Sequence, residues 1–175
     1  MKQGRTSFPD AGPSPGSRQS LDDLRELNRR IAEHWLGRLD ARQEAYLARV
    51  GVCLGELVAS AARIAQVLAS ASESPLPVAR LNRRYLRFAR LAAKEVAAGK
   101  PELLIKLGID MEQAELLRHL SDEQLDRLAC AWGGPIVEFP SEVFTRGAAL
   151  QERAALHHAM AFVATRLLER RRTKP

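Results

Sequence analysis

From Leu21 onward apolar side chains return every three or four positions, at Leu24, Leu27, Ile31, Trp35, Leu39, Tyr46, Val50, Leu54, Leu57, Ala61, Ile64 and Leu68. That spacing lines one face of an α-helix. Ser20 is placed as an N-cap, and Asp22 and Asp23 suit the positive end of the dipole. Gly51 and Gly55 weaken the middle by up to about 1 kcal/mol each relative to alanine, so the stretch either kinks or folds into a hairpin there. As one rod it would be about 50 residues and roughly 75 Å long, which requires packing on itself or on another copy. Before it, residues 1–20 combine proline, glycine and serine with few apolar side chains and are expected to be disordered. After it, Ser72–Pro77 (SESPLP) breaks the helical pattern. Three segments result: a disordered segment 1–20, a helical arm with its proline-containing linker 21–77, and a helical domain 78–175.

The helix that opens the third segment is sharply two-faced. Val78, Leu81, Tyr85, Phe88, Ala89, Ala92 and Val96 fall on one side at 100° per residue, and Arg80, Arg83, Arg84, Arg87, Arg90 and Lys94 on the other. Short helices follow in quick succession. Pro101–Leu107 stops at Gly108, Asp110 with Gln113 forms a capping pair, and Ser121 with Gln124 forms another eleven residues later. Their leucines must meet in one small helical core. The outline resembles a helix-turn-helix, but its second helix carries Asp122, Glu123 and Asp126 against Arg127 alone and would repel phosphate in a groove. Ile136–Phe139 (IVEF) suits one short extended segment, which either pairs with a second copy as a two-stranded ribbon or packs as a loop. A last helix, from about Ala148 to Arg171, ends in a basic tail. The fold class expected is all-α, a compact multi-helix dimerising domain with a long N-terminal arm.

Composition adds charge to this picture. The 175 residues carry a formal charge of +6, and the stretch from Arg80 to Lys100 alone holds seven basic residues against Glu95, so the rest of the chain balances. Such a face is solvated, tracks phosphate or docks an acidic partner. No apolar run is long enough for a membrane span or a signal-peptide core, which makes the cytoplasm the expected location. Cys53 and Cys130 form no CxxC pair and suit small core positions.

Four blocks, LNRRYLRFARL, the Leu-Gly-Ile within LIKLGIDMEQAELLRHL, SDEQLDRLA and LHHAMAFVATRLL, resemble in order and spacing the FlhD family, the D subunit of the bacterial flagellar transcriptional activator FlhDC. The resemblance covers about Val78 to Leu168. It implies an all-helical homodimer that joins an FlhC-like subunit in a hetero-oligomer, binds promoter DNA as part of that complex, recruits RNA polymerase and activates flagellar genes. It also implies that the zinc site belongs to the partner subunit, so no cofactor or metal is expected here. Lys106 stands where the family has a basic residue before Leu-Gly-Ile, in a region associated with DNA contact, and joins Arg80, Arg83, Arg84, Arg87, Arg90 and Lys94 as a DNA-binding candidate. Trp132 replaces a polar residue of that surface. His158, Val163 and Arg166 lie in the block that family members turn toward FlhC. The subunit-bridging cysteine of well-known members falls near Val137, whereas Cys130 sits about seven residues earlier, so dimerisation is expected to be noncovalent.

Enzymatic chemistry finds no support in the motifs. His34, His119, His157 and His158 lack metal-ligand spacing, Asp110, Glu112 and Glu115 serve a helix start, and there is no phosphate loop, nucleophile elbow or HExxH. The expectation is a regulatory DNA-binding subunit; its rival is a structural or chaperone-like helical oligomer without DNA binding, in which the arm is the working part.

Overall fold

The computed structural model describes the backbone of residues 15–70 and 78–172, and their side chains except at 15–20, 105, 152, 163 and 166–172. The proline-containing linker and most of the segment expected to be disordered therefore lie outside the described residues. The architecture is mostly helical: α1 (Pro15–Leu36), α2 (Ala41–Leu47), β1 (Glu56–Leu57), α3 (Ala61–Ser70), α4 (Ala79–Ala97), α5 (Glu102–Leu107), α6 (Met111–His119), α7 (Asp122–Ala131), β2 (Val137–Glu138), α8 (Ser141–Ala149) and α9 (Glu152–Arg172). None of the described helices is long and apolar enough to cross a membrane.

Local sequence sets most of these boundaries. Asp40, Asp110 and Ser121 each cap a helix through a side-chain oxygen, and Gln43, Gln113 and Gln124 return the bond to the cap's own N–H. Gly108 ends α5 in the left-handed region at φ +64, which lets Ile109 turn inward to 1% exposure.

The expected arm is where the structure departs from the pattern. Instead of one rod, the stretch divides into α1, α2, β1 and α3, and α1 begins at Pro15, ahead of the Ser20 cap site. Nor does this part stand away from a separate body. Leu27, Ile31, Leu54 and Ile64 join Leu86, Leu117, Leu125 and Phe144 in one core, because the apolar stripe of α1 buries more surface against α4 and α8 than an exposed arm could. The extended segment at Val137–Glu138 also finds its partner within the chain. β1 pairs antiparallel with β2, Glu56 opposite Glu138 and Leu57 opposite Val137, so the ribbon drawn between two copies is replaced by one closed in cis. Gly55 permits this approach, since a Cβ there would lie 3.0 Å from Ile31 Cδ1 and 3.3 Å from Val137 Cβ. The expected last helix is α9, and a further helix that the pattern did not show, α8, precedes it, with Leu150 and Gln151 between them.

Three buried amides hold the nonhelical backbone in place. Asn28 donates to Val52 O at 2.7 Å and accepts from Leu54 N at 2.8 Å. Asn82 donates to Gly134 O at 2.8 Å and Ala129 O at 3.3 Å and accepts from Ile136 N at 2.9 Å. Gln113 reaches Ala59 O at 2.8 Å. Short strands leave backbone groups that no ladder can satisfy, and these side chains supply the missing partners inside the core.

Candidate nucleic-acid interface

Helix α4 buries Asn82, Tyr85, Leu86, Ala89 and Ala93 and turns its cations to the opposite side. Tyr85, fully buried, fixes the helix over α5 by donating to Leu107 O at 3.1 Å. Neighbouring helices then meet the cationic face with carboxylates. Arg83 Nε lies 2.8 Å from Asp126 Oδ1 and Arg87 Nη2 lies 3.3 Å from the same oxygen. Arg90 Nη2 lies 2.6 Å from Asp122, while its Nη1 donates to Leu120 O at 3.0 Å. Arg84 Nη1 is 3.6 Å from Glu26 of α1.

Two of the three acids that disqualify α7 as a recognition helix, Asp122 and Asp126, are thus counter-ions of α4. Residue numbers rise along one helix as they fall along the other, so Asp122 and Asp126 meet Arg90, Arg87 and Arg83 as an antiparallel ladder. Exposed pairs of this kind contribute about 0–1 kcal/mol each. Arg90 is different, because only 13% of its side chain is exposed and it joins the carbonyl of Leu120, the residue that ends α6, to the first turn of α7. That makes it a positioning residue for two helix ends rather than a surface cation.

Glu26 anchors a second cluster. Burial opposes its ionisation, but hydrogen bonds and charge from Arg29 and Arg30 outweigh that and hold its carboxyl below the ordinary range. Arg29 is correspondingly raised, chiefly by its hydrogen bond to Glu26.

Of the seven residues expected to face DNA, four are compensated, and the chemistry left over resides in the others. Arg80, Lys94 and Lys106 are exposed and, among the described residues, have no carboxylate partner. Lys106 sits on α5, where its carbonyl accepts from Cys53 N at 2.5 Å, tying α5 to the first half of the chain. Reversal of Arg83, Arg84 and Arg87 would therefore set glutamates against Asp126 and Glu26 and disturb the fold, not only a DNA contact.

His158, expected to face a partner subunit, is half-buried with Nδ1 3.2 Å from the Tyr46 hydroxyl, whose pKa burial pushes up. It packs over Gly147, where a Cβ would come within 2.6 Å of Tyr46 Oη and 2.7 Å of His158 Nδ1. Val163 and Arg166 lie on α9, with side chains outside the described ones. Toward solvent α9 shows Leu156, 45% exposed, and Met160, 62% exposed. Trp132 caps the end of α7, partly buried against the core, and neither Cys53 nor Cys130 forms a disulfide. Among the described residues no group of three or more His, Cys, Asp or Glu side chains could hold a metal. Sequence reasoning missed Asn28 and Asn82, and read Gln113 as a cap without its bond to Ala59 O; the signal for the asparagines was a polar residue set inside an apolar stripe, as Asn28 is between Leu24, Leu27 and Ile31.

Compared with family models, with curated proteins and with solved structures, the chain finds no match.

Proposed function

We propose that the chain is a noncatalytic regulatory subunit resembling FlhD, which joins an FlhC-like subunit, contributes positive potential to the binding of promoter DNA and so helps that assembly recruit RNA polymerase to flagellar genes. The observation that supports the reading is the surplus of cations on α4, with Lys106 of α5 beside it in sequence. Of the six cationic side chains along α4, four engage three carboxylates while Arg80 and Lys94 engage none among the described residues, and Lys106 adds a further charge, so a net positive strip persists. Arg80 and Lys94 stand fourteen residues apart on one face, about 21 Å along the helix axis, a span that covers several backbone phosphates of one strand.

The test is a fluorescence-anisotropy titration of the chain with an FlhC-like subunit on promoter DNA across a salt series. Arg80→Glu, Lys94→Glu and Lys106→Glu together should weaken binding at every sequence and flatten the salt dependence by about 0.9 log units per lost phosphate contact. Unchanged affinity and slope would remove these residues from the interface.

A second reading, a structural or chaperone-like helical oligomer, draws support from the engagement of Arg83, Arg84, Arg87 and Arg90 by the chain's own acids and by Leu120 O. A stable complex with the FlhC-like subunit that gains no DNA affinity would select it.

A further inference from the structure

The tetrapeptide Leu-Asn-Arg-Arg occurs twice, at 27–30 on α1 and at 81–84 on α4. Asn28 and Asn82 are both fully buried, and they do the same thing. Each donates to the carbonyl of one residue and accepts from the N–H two residues on, 52 and 54 for Asn28, 134 and 136 for Asn82. From each clamp the chain enters a strand and then a helix, β1 and α3 in the first half, β2 and α8 in the second.

The ribbon shows how the halves are related. Aligning Leu54 with Ile136 by their shared bond places Glu56 on Glu138 and Leu57 on Phe139. Glu56 and Glu138 are the residues that face one another. A position that pairs with its own equivalent in an antiparallel ribbon lies on a local twofold axis. Burial follows the same correspondence: Leu54 and Ile136 are 2% and 0% exposed, and Leu57 and Phe139 are both 4%.

Charge breaks the symmetry. The same alignment of Asn28 with Asn82 sets Glu26 and Glu33 of α1 at the places of Arg80 and Arg87 of α4. Glu26 receives Arg84 across the α1 and α4 contact. Were a second α4 to take the place of α1, Arg80 would stand there and meet Arg84, cation against cation. Like charges in such a place reject self-pairing, while Glu26 of α1 accepts Arg84.

We infer that residues 21–70 fill, within the chain, the surface on which a second copy of the 79–149 unit would dock, so that the ribbon interface is closed in cis and the α4 strip is presented once per molecule. This rests on the repeat and the clamps alone, and stands apart from the regulatory reading. A target or partner is then met by one asymmetric face and not by two related by symmetry.

The test uses the full chain carrying Glu56→Cys and Glu138→Cys. Residues directly opposite in an antiparallel ribbon have Cα atoms about 4.5–5.5 Å apart, within disulfide range. Light and 15N-labelled chains are unfolded together, refolded as an equal mixture and oxidised, and the 56–138 link is read by peptide mass. The expected result is a link joining light to light or heavy to heavy only, at the electrophoretic mobility of one chain. Half of the links mixed, with covalent dimers, would overturn the inference, as would the absence of a 56–138 link in folded protein. Should the cysteine pair fail to fold, Glu56→Lys with carbodiimide coupling to Glu138 gives the same isotope reading with the same outcomes.

Discussion

Removing the amide of Asn82 tests the fold at the clamp that holds the β2 half of the ribbon. In Asn82→Ala the N–H of Ile136 and the carbonyl of Gly134 lose bonds of 2.9 and 2.8 Å at a site with 0% exposure, and a third, weaker bond to Ala129 O goes with them. A hydrogen bond contributes about 1 kcal/mol net, while a buried backbone group left without a partner costs about 1–3 kcal/mol. Two strong bonds and one weak one put the loss at about 3 kcal/mol, a large part of the roughly 5–15 kcal/mol that holds a domain of this kind together. For a chain of this size each kcal/mol moves Tm by about 2–4 °C, so a fall of about 10 °C is expected. Urea titration followed by far-UV circular dichroism measures the loss, and hydrogen exchange at the Ile136 amide locates it. Asn82→Asp should be worse, since it sets a carboxylate against the Gly134 and Ala129 carbonyls. A loss under about 1 kcal/mol, with Ile136 still protected, would refute the claim that this side chain fixes the strand.

Two further outcomes follow from the geometry. Gly147→Ala drives a methyl against Tyr46 Oη and Cζ and His158 Nδ1, and should cost about 1–3 kcal/mol by overpacking; in a Tyr46→Ala background, which removes the ring, the added loss should shrink, and an undiminished loss in a denaturant titration would place the clash elsewhere. Glu26 titrates below its ordinary value when folded, so its contribution is complete above the unfolded pKa and disappears as pH falls through the folded one. Glu26→Gln should therefore be less stable than the parent at neutral pH and approach it in acid, a convergence that thermal melts from about pH 7 down to pH 3 would show and a constant gap would deny.

Helix existence and helix ends were readable from neighbours three or four residues apart. The caps at Asp110 and Ser121, the stop at Gly108 and the two faces of α4 depend on backbone groups within one turn, and that is information a linear chain carries openly. The same reading drew residues 21–68 as one stripe because α1 and α3 each keep helical spacing. Periodicity records which positions want burial and leaves out where the chain turns back.

Tertiary contact decided the remainder. Whether the arginines of α4 stay free depends on Asp122 and Asp126 arriving some forty residues later in antiparallel register, and on Glu26 arriving from the other direction. The partner of β2 depends on β1, about eighty residues earlier, and on a glycine at 55 that lets the backbones close. Asn28 and Asn82 look like breaks in an apolar face until the strands they hold are in view. By itself, then, the amino-acid order determined a helical chain with its start and stop signals and its charged face, because those arise from forces that act within a turn. Only the folded molecule decided which charges are neutralised and which strand meets which, because those energies exist only between segments that folding brings together.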